Sequence, residues 1–126
     1  AEIFPEYSAG LKDLDGFSHI ILLCHFHLAK GYSLSQKPFM DQQERGIFAI
    51  RGPSRPNPIG LSIVRLTGIK DNIIYLKDLD ILDGTPILDI KPYVPEFDQR
   101  DSVQIGWLEH NIQRLPNTHD DGRFEK

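Results

Sequence analysis

The apolar residues of this chain occur in short runs, each interrupted after a few positions by glycine, aspartate, asparagine or proline. Short runs rich in isoleucine, leucine and valine favour strands over helices. The predicted strands cover residues 20–26, 48–50, 61–69, 73–76, 79–82 and 87–90. The Asp71-Asn72 pair predicts a tight hairpin turn, and Asp83-Gly84 predicts a second turn. Many short strands with few helices predict a mainly β (α+β) fold, a small β-barrel that is closed or partly open.

Residues 20–26 form a continuous apolar run, which predicts a strand buried on both faces. Cys24, within that run, is predicted to be a small buried side chain, because a lone cysteine cannot form an internal disulfide. Residues 28–46 show no clear period and are predicted to form a lid. A helix near the end of the chain is predicted to begin at Asp101 or Ser102. Its apolar residues, of which the tryptophan is predicted to pack in the core, are Val103, Trp107, Leu108 and Ile112.

The length of 126 residues predicts a single domain, here residues 1–115, followed by a polar tail at residues 116–126. The longest apolar run is far shorter than the roughly 18 residues that a membrane helix needs. The start of the chain also lacks the basic and then apolar pattern of a signal peptide. We therefore expect a soluble, cytoplasmic protein without a membrane partner.

The net charge of −4 argues against a protein that coats nucleic acid over its whole surface, but the charges are unevenly distributed. Residues 45–70 contain five basic residues and no acidic residue, whereas residues 96–126 contain seven acidic and four basic residues. The middle of the chain is therefore locally basic. Either an anion site or a solvated strand face explains this distribution.

The centre of the basic region is the proline segment, which we define as residues 51–62, RGPSRPNPIGLS. Each proline fixes φ, removes an amide donor and pushes the preceding residue into extended geometry. A segment that is already stiff loses little entropy when Arg55 or Asn57 binds a ligand. Three explanations remain open: a site for phosphate, carboxylate or adenine; a surface loop stiffened for stability; and a PxxP ligand for an SH3-type partner.

Three stretches resemble the TrmO (TsaA-like) family of S-adenosylmethionine-dependent tRNA methyltransferases. They are GLKDLDGFSHIILLCHFH, GIFAIRGPSRPNPIGLSIVRL and LDILDGTPILDIKPYVP, in that order. The resemblance implies a homodimeric, β-barrel-based enzyme without a Rossmann fold, and the chain has no GxGxxG fingerprint. It also implies methylation of N6 of N6-threonylcarbamoyladenosine at position 37 of tRNA, next to the anticodon. The family's usual first strand and basic loop have no counterpart in AEIFPEYSAG, so no contact from that region is assigned.

The same resemblance implies a set of site residues. The residues that match the family's cofactor site are His27, Leu28, Arg51, Leu61, Asp89, Ile90, Lys91 and Pro92. Arg51 would bind the methionyl carboxylate or a ribose hydroxyl, and Leu61 would pack against adenine. The candidates for contact with tRNA phosphate or with the threonyl carboxylate are Arg55, Asn57, Arg65 and Lys91. An anticodon-loop base needs no duplex unstacking, which suits a local basic patch.

The DIKPY strand, residues 89–93, carries the candidates for catalysis. Strand alternation places Asp89, Lys91 and Tyr93 on one face and Leu88 and Ile90 on the other. The lone pair of the N6 nitrogen is delocalised, so removal of the N6 proton should assist methyl transfer. An acid, a base and a phenol side by side suit this step. The alternative is an ordinary surface ion pair, and the proton acceptor is left open between Asp89, His27 and none.

Two further hypotheses concern this region. We expect the proline segment to lie against the DIKPY strand and form one cavity for methyl donor and purine. His25 and His27 lie two apart on a strand, but without a third ligand nearby they do not predict a metal site. The competing class of function is a non-catalytic adenine-nucleotide or RNA-binding module that uses the same pocket.

Overall fold

The computed structural model describes residues 1–38 and 41–110, with the backbone alone at His110. Contacts between α-carbons divide the chain into two units. The first unit holds Ala1–His25 and Leu61–Gln99, and the second holds Phe26–Gly60 and the residues from Arg100 onward. The single domain predicted over residues 1–115 stays a prediction, and the predicted tail at 116–126 lies outside the described residues.

Strands dominate the described residues, and the helices are short. The strands are β1 (His19–His25), β2 (Ser35–Gln36), β3 (Arg45–Gly46), β4 (Ile59–Lys70), β5 (Ile73–Lys77) and β6 (Ile87–Pro92). The helices are four 3₁₀ helices, at Pro5–Leu11, Leu14–Gly16, Ile47–Ala49 and Gly106–His110, and one α-helical turn, α1 (Pro95–Asp98). The prediction of a mainly β chain with few short helices is therefore confirmed. No helix in the described ranges is long and apolar enough to cross a membrane.

The larger sheet has the strand order β5-β4-β1-β6. β4 and β5 form an antiparallel hairpin at the predicted Asp71-Asn72 turn, where Asp71 takes the left-handed φ of 54°. The first residues of the chain extend this edge, since Glu2 lies opposite Ile73. As described, the sheet is open, with β5 and β6 outermost, so closure into a barrel is not confirmed.

β1 lies between β4 and β6 in this sheet, and its side chains alternate between a buried face and a half-buried face. Ile20, Leu22 and Cys24 are almost fully buried, whereas the residues between them are half-buried. The predicted burial of Cys24 is confirmed, but burial on both faces is not, because one face is covered incompletely. The core of the first unit consists of Leu11, Leu14, Ile20, Leu22, Val64 and Ile74.

β6 pairs antiparallel with β1, and its register contains a bulge. Leu23 lies opposite Asp89, whereas Cys24 lies opposite Ile87, so Leu88 is the extra residue. Consequently Ile87 and Ile90 pack on the core, and Leu88 is 55% exposed. The predicted alternation, which paired Leu88 with Ile90 on one face, is wrong at Leu88 because the bulge interrupts the period of two.

The second unit contains the small antiparallel pair β2–β3, in which Ser35 lies opposite Gly46. A 3₁₀ turn follows, closed by a hydrogen bond from the Ile50 N–H to the Ile47 carbonyl. The strand predicted at residues 48–50 is therefore wrong. Ile47 and Ile50 are both buried at a spacing of three, the period of a 3₁₀ helix, while Phe48 between them is 80% exposed.

Two other predicted elements are corrected. Residues 79–82 form no strand, because Asp78 adopts a left-handed φ of 68° directly after β5 and the Thr85 N–H closes a turn onto the Leu82 carbonyl. The helix predicted from Asp101 or Ser102 begins only at Gly106 and is 3₁₀, and Ile112 lies outside the described residues. Left-handed φ angles at Ser102 and Gly106 prevent an earlier start.

Candidate functional site

The proline segment has little regular structure before β4 begins at Ile59. Arg51 and Asn57 are exposed, Arg55 is half-buried and Pro53 is buried. The burial of Pro53 disfavours a PxxP ligand, whose prolines must reach a partner's groove. Pro56, in contrast, is exposed, so the segment presents one proline ring as well as its polar side chains.

Side chains of the second unit bind carbonyl groups in the proline segment and just before it. The Arg55 guanidinium donates through Nη1 to the carbonyls of Ile50, at 2.6 Å, and Gly52, at 3.2 Å. The Gln36 amide nitrogen, at the end of β2, donates to the Ser54 carbonyl at 2.5 Å. Because the prolines have no backbone N–H group, side-chain donors replace the backbone hydrogen bonds that are missing here. No pattern in the sequence predicts these contacts.

Trp107 binds the backbone two residues before this segment. Its indole Nε1 donates to the Ala49 carbonyl at 2.8 Å. The Arg45 guanidinium carbon lies 5.8 Å from the centre of the Trp107 ring, and Arg45 Nε lies 2.7 Å from an Asp41 carboxylate oxygen. The hydrogen bond from Arg45 lowers the pKa of Asp41. Trp107 is half-buried rather than buried, so its predicted packing in the core is not confirmed; its ring is a hydrogen-bond donor and lies close to a cation.

The DIKPY strand displays an exposed ion pair. Lys91 Nζ lies 2.9 Å from an Asp89 carboxylate oxygen, and the other carboxylate oxygen accepts the Ile90 N–H at 2.9 Å. Lys91 lies opposite Ile21 and Asp89 lies opposite Leu23. Both side chains are therefore on the sheet face away from the core, as the strand alternation predicted for these two residues.

The last residue of the DIKPY strand, Tyr93, lies just beyond β6. Its N–H donates to the His19 carbonyl at 3.1 Å, and the two rings meet edge to face with centres 6.4 Å apart. His19 Nδ1 also lies 2.8 Å from the Ser18 hydroxyl. His19 thus packs on Tyr93, and Tyr93 is held at a fixed position at the end of the strand.

The hydrogen bond from Lys91 lowers the pKa of Asp89, and the Ile90 N–H lowers it further. We expect Lys91→Met to raise the pKa of Asp89 toward its ordinary value, in a pH titration of the carboxyl carbon by NMR. A folded-state pKa below the unfolded value stabilises the fold at higher pH, and this contribution is lost as the pH falls through the folded pKa. Lys77→Met is the control, and an unchanged Asp89 pKa in Lys91→Met contradicts the assignment.

The remaining candidates are mostly exposed. Leu28 is 49% and Leu61 is 47% exposed, and His27 and Arg65 are exposed as well. Arg65 lies opposite Lys77 in the β4–β5 hairpin, so two cations are adjacent on that surface. Within the described ranges no group of three or more His, Cys, Asp or Glu side chains is arranged to bind a metal.

The predicted site residues divide between the two units. His27, Leu28, Arg51, Arg55 and Asn57 lie in the second unit. Those in the first unit are Leu61, Arg65, Asp89, Ile90, Lys91, Pro92 and Tyr93. Within the first unit, the structure brings Asp89 and Lys91 together. Within the second, it links Arg55 to the backbone on both sides of Arg51.

Comparison with known proteins identifies the family. A protein of Pyrococcus abyssi named as a probable S-adenosyl-L-methionine-binding protein is 60% identical over 123 residues, which are 98% of this chain and 67% of that protein. The human tRNA (adenine(37)-N6)-methyltransferase is 38% identical over 120 residues, 90% of this chain and 27% of that protein. The crystal structure of TrmO from Pseudomonas aeruginosa superposes with a TM-score of 0.69 at 39% identity, covering 84% of this chain and 46% of that one.

This chain therefore spans about half of the solved TrmO chain and about a quarter of the human enzyme. Residues 1–99 match the tRNA-methyltransferase O N-terminal domain. The resemblance found in the three sequence motifs is thus confirmed, and the chain belongs to the TrmO family.

Proposed function

We propose that this chain is an S-adenosylmethionine-dependent methyltransferase that acts on N6 of the adenosine at position 37 of tRNA. Membership of the TrmO family over residues 1–99 carries the proposal. The names of the human and archaeal relatives support the reaction and the methyl donor respectively. A tRNA substrate also implies a cytoplasmic location.

The substrate we propose is N6-threonylcarbamoyladenosine rather than unmodified adenosine. Its N6 lone pair is delocalised into the ring and the carbonyl, so methyl transfer benefits from proton removal. Asp89, whose pKa is lowered, is ionised at neutral pH but is a weak proton acceptor. We therefore assign to Asp89, Lys91 and Tyr93 mainly the orientation of the nucleophile, since positioning alone supplies much of the rate.

The cofactor contacts that we propose are those that the family resemblance implies. His27, Leu28 and Arg51, in the second unit, are all exposed. In the first unit, Leu61, Asp89, Lys91 and Pro92 offer side chains, whereas Ile90 packs on the core, so its contribution is limited to its backbone. Arg51 is the residue whose charge we expect to matter most, because a guanidinium can bind a carboxylate through two hydrogen bonds.

For tRNA, we propose contacts from Asn57 and Arg65, both exposed, whereas the Arg55 guanidinium is bound to its own backbone. Because only a few phosphates would be contacted by this chain of net charge −4, we expect the affinity for tRNA to fall only moderately as the salt concentration rises. We also propose a homodimer, as the family resemblance implies. Light scattering, which gives the mass in solution, tests that assembly.

The reaction is tested by incubating the protein with labelled S-adenosylmethionine and tRNA that carries the threonylcarbamoyl group. After digestion, we expect a nucleoside heavier by one methyl group, detected by mass spectrometry. The control is the same tRNA without the threonylcarbamoyl group, which should give little product. Donor binding without product would instead favour the non-catalytic adenine-nucleotide or RNA-binding module.

A further inference from the structure

We infer that Arg55 is a positioning residue, which holds the backbone around Arg51 in the geometry that binds the methyl donor. This inference rests on the proposed function, because it assigns Arg51 to the donor. It differs from the role that the sequence predicted for Arg55, a contact to tRNA. All the contacts that support it lie within the second unit.

The hydrogen bonds of Arg55 bracket Arg51. A single guanidinium nitrogen, Nη1, donates both to the Ile50 carbonyl, in the peptide group that precedes Arg51, and to the Gly52 carbonyl. The Arg55 N–H adds a bond of 3.0 Å to the Pro53 carbonyl. Three carbonyls within four residues are thus bound by one residue. Such bonds restrict the backbone torsions of Arg51 and Gly52 from both sides.

Neighbouring side chains hold the same backbone at its two ends. The Trp107 indole holds the Ala49 carbonyl, and the Gln36 amide holds the Ser54 carbonyl. The Gln36 amide also donates to the Ser33 carbonyl at 3.2 Å, which links the proline segment to the start of β2. Arg55 therefore completes a frame of side-chain donors that replaces the amide donors missing at the prolines.

Arg51 and Arg55 also differ in their exposure to solvent. Arg51 is exposed, whereas Arg55 is half-buried and directs one guanidinium nitrogen at its own backbone. A group whose main role is to bind phosphate is expected to direct its donors outward. A loop held in its binding geometry loses less entropy when a ligand binds, and this raises affinity without any contact to the ligand.

The test combines loop mobility with donor affinity, measured without tRNA. In Arg55→Ala we expect the amide order parameters of Arg51 and Gly52 to fall from about 0.85 to below about 0.6 in ¹⁵N relaxation. We expect the Kd for S-adenosylmethionine, by calorimetry, to rise about tenfold. The KM for tRNA at saturating donor should stay unchanged. Gln36→Ala, which removes no charge, should change mobility and Kd in the same direction but less.

Lys12→Ala is the matched control, since it removes an exposed cation of the first unit and should alter neither quantity. Unchanged order parameters in Arg55→Ala would overturn the inference, as would a looser segment with unchanged donor affinity. A higher KM for tRNA alone would assign Arg55 to phosphate instead. If Arg55→Ala does not fold, Gln36→Ala decides by the same readouts. Wild-type protein that binds no donor refutes the proposed function, while the order parameters still show whether Arg55 holds the segment.

Discussion

Calorimetric titration of Arg51→Ala with S-adenosylmethionine is expected to give a Kd roughly 10- to 100-fold above that of the wild type. A hydrogen bond to a charged group contributes about 1.5–3 kcal/mol, and alanine removes both the charge and the donors. Arg51→Lys should lie between the two, because lysine keeps the charge but loses the planar pair of donors. A donor Kd that rises from the wild type to Arg51→Lys and again to Arg51→Ala would indicate that the guanidinium binds the donor directly.

Two variants separate donor binding from the other proposed roles. Arg65→Ala should leave the donor Kd unchanged while weakening tRNA binding, since Arg65 is an exposed residue of β4 assigned to tRNA. Asp89→Asn keeps a side-chain oxygen acceptor at this position, so it should lower donor affinity less than Arg51→Ala does, but it should form product more slowly. An Arg51→Ala protein that melts like the wild type and binds donor equally well would remove Arg51 from the site.

The longest strands were predictable because their side chains follow simple periods. β1, β4, β5 and β6 begin and end within two residues of the predicted runs, since apolar residues on one face must be buried. The same reasoning failed at residues 48–50 and 79–82. There, composition favours strands, but a 3₁₀ turn and a left-handed residue, Asp78, decide the local backbone.

The sequence indicates the exposed candidate residues of the site but not the side chains that hold the backbone around them. Arg51 and the pair Asp89–Lys91 stand out by charge and by strand alternation, and all three are exposed. Nothing in the residue pattern reveals that the Arg55 side chain turns back onto the carbonyls of Ile50 and Gly52. Gln36 and Trp107 bind carbonyls 18 and 58 residues away, and no local period encodes such contacts.

The largest effect on stability is expected at Leu22. Its side chain has no exposed surface and packs in the core of the first unit, on the strand between β4 and β6. Leu22→Ala should lower the free energy of unfolding by about 2–5 kcal/mol, because it removes buried methyl groups and leaves a cavity. Urea unfolding followed by circular dichroism measures this, provided that the slope against urea concentration is unchanged.

Leu88→Ala is the matched control, and it also tests the bulge in β6. Strict alternation along the DIKPY strand would place Leu88 on the core side with Ile90, and its truncation would then cost nearly as much as that of Leu22. The bulge instead leaves Leu88 outside the pairing with β1 and 55% exposed, so truncation should cost no more than about 0.5 kcal/mol. Equal losses at Leu22 and Leu88 would contradict this register. Because the bulge lies next to Asp89, such a result would also remove the geometric basis for an exposed Asp89–Lys91 pair.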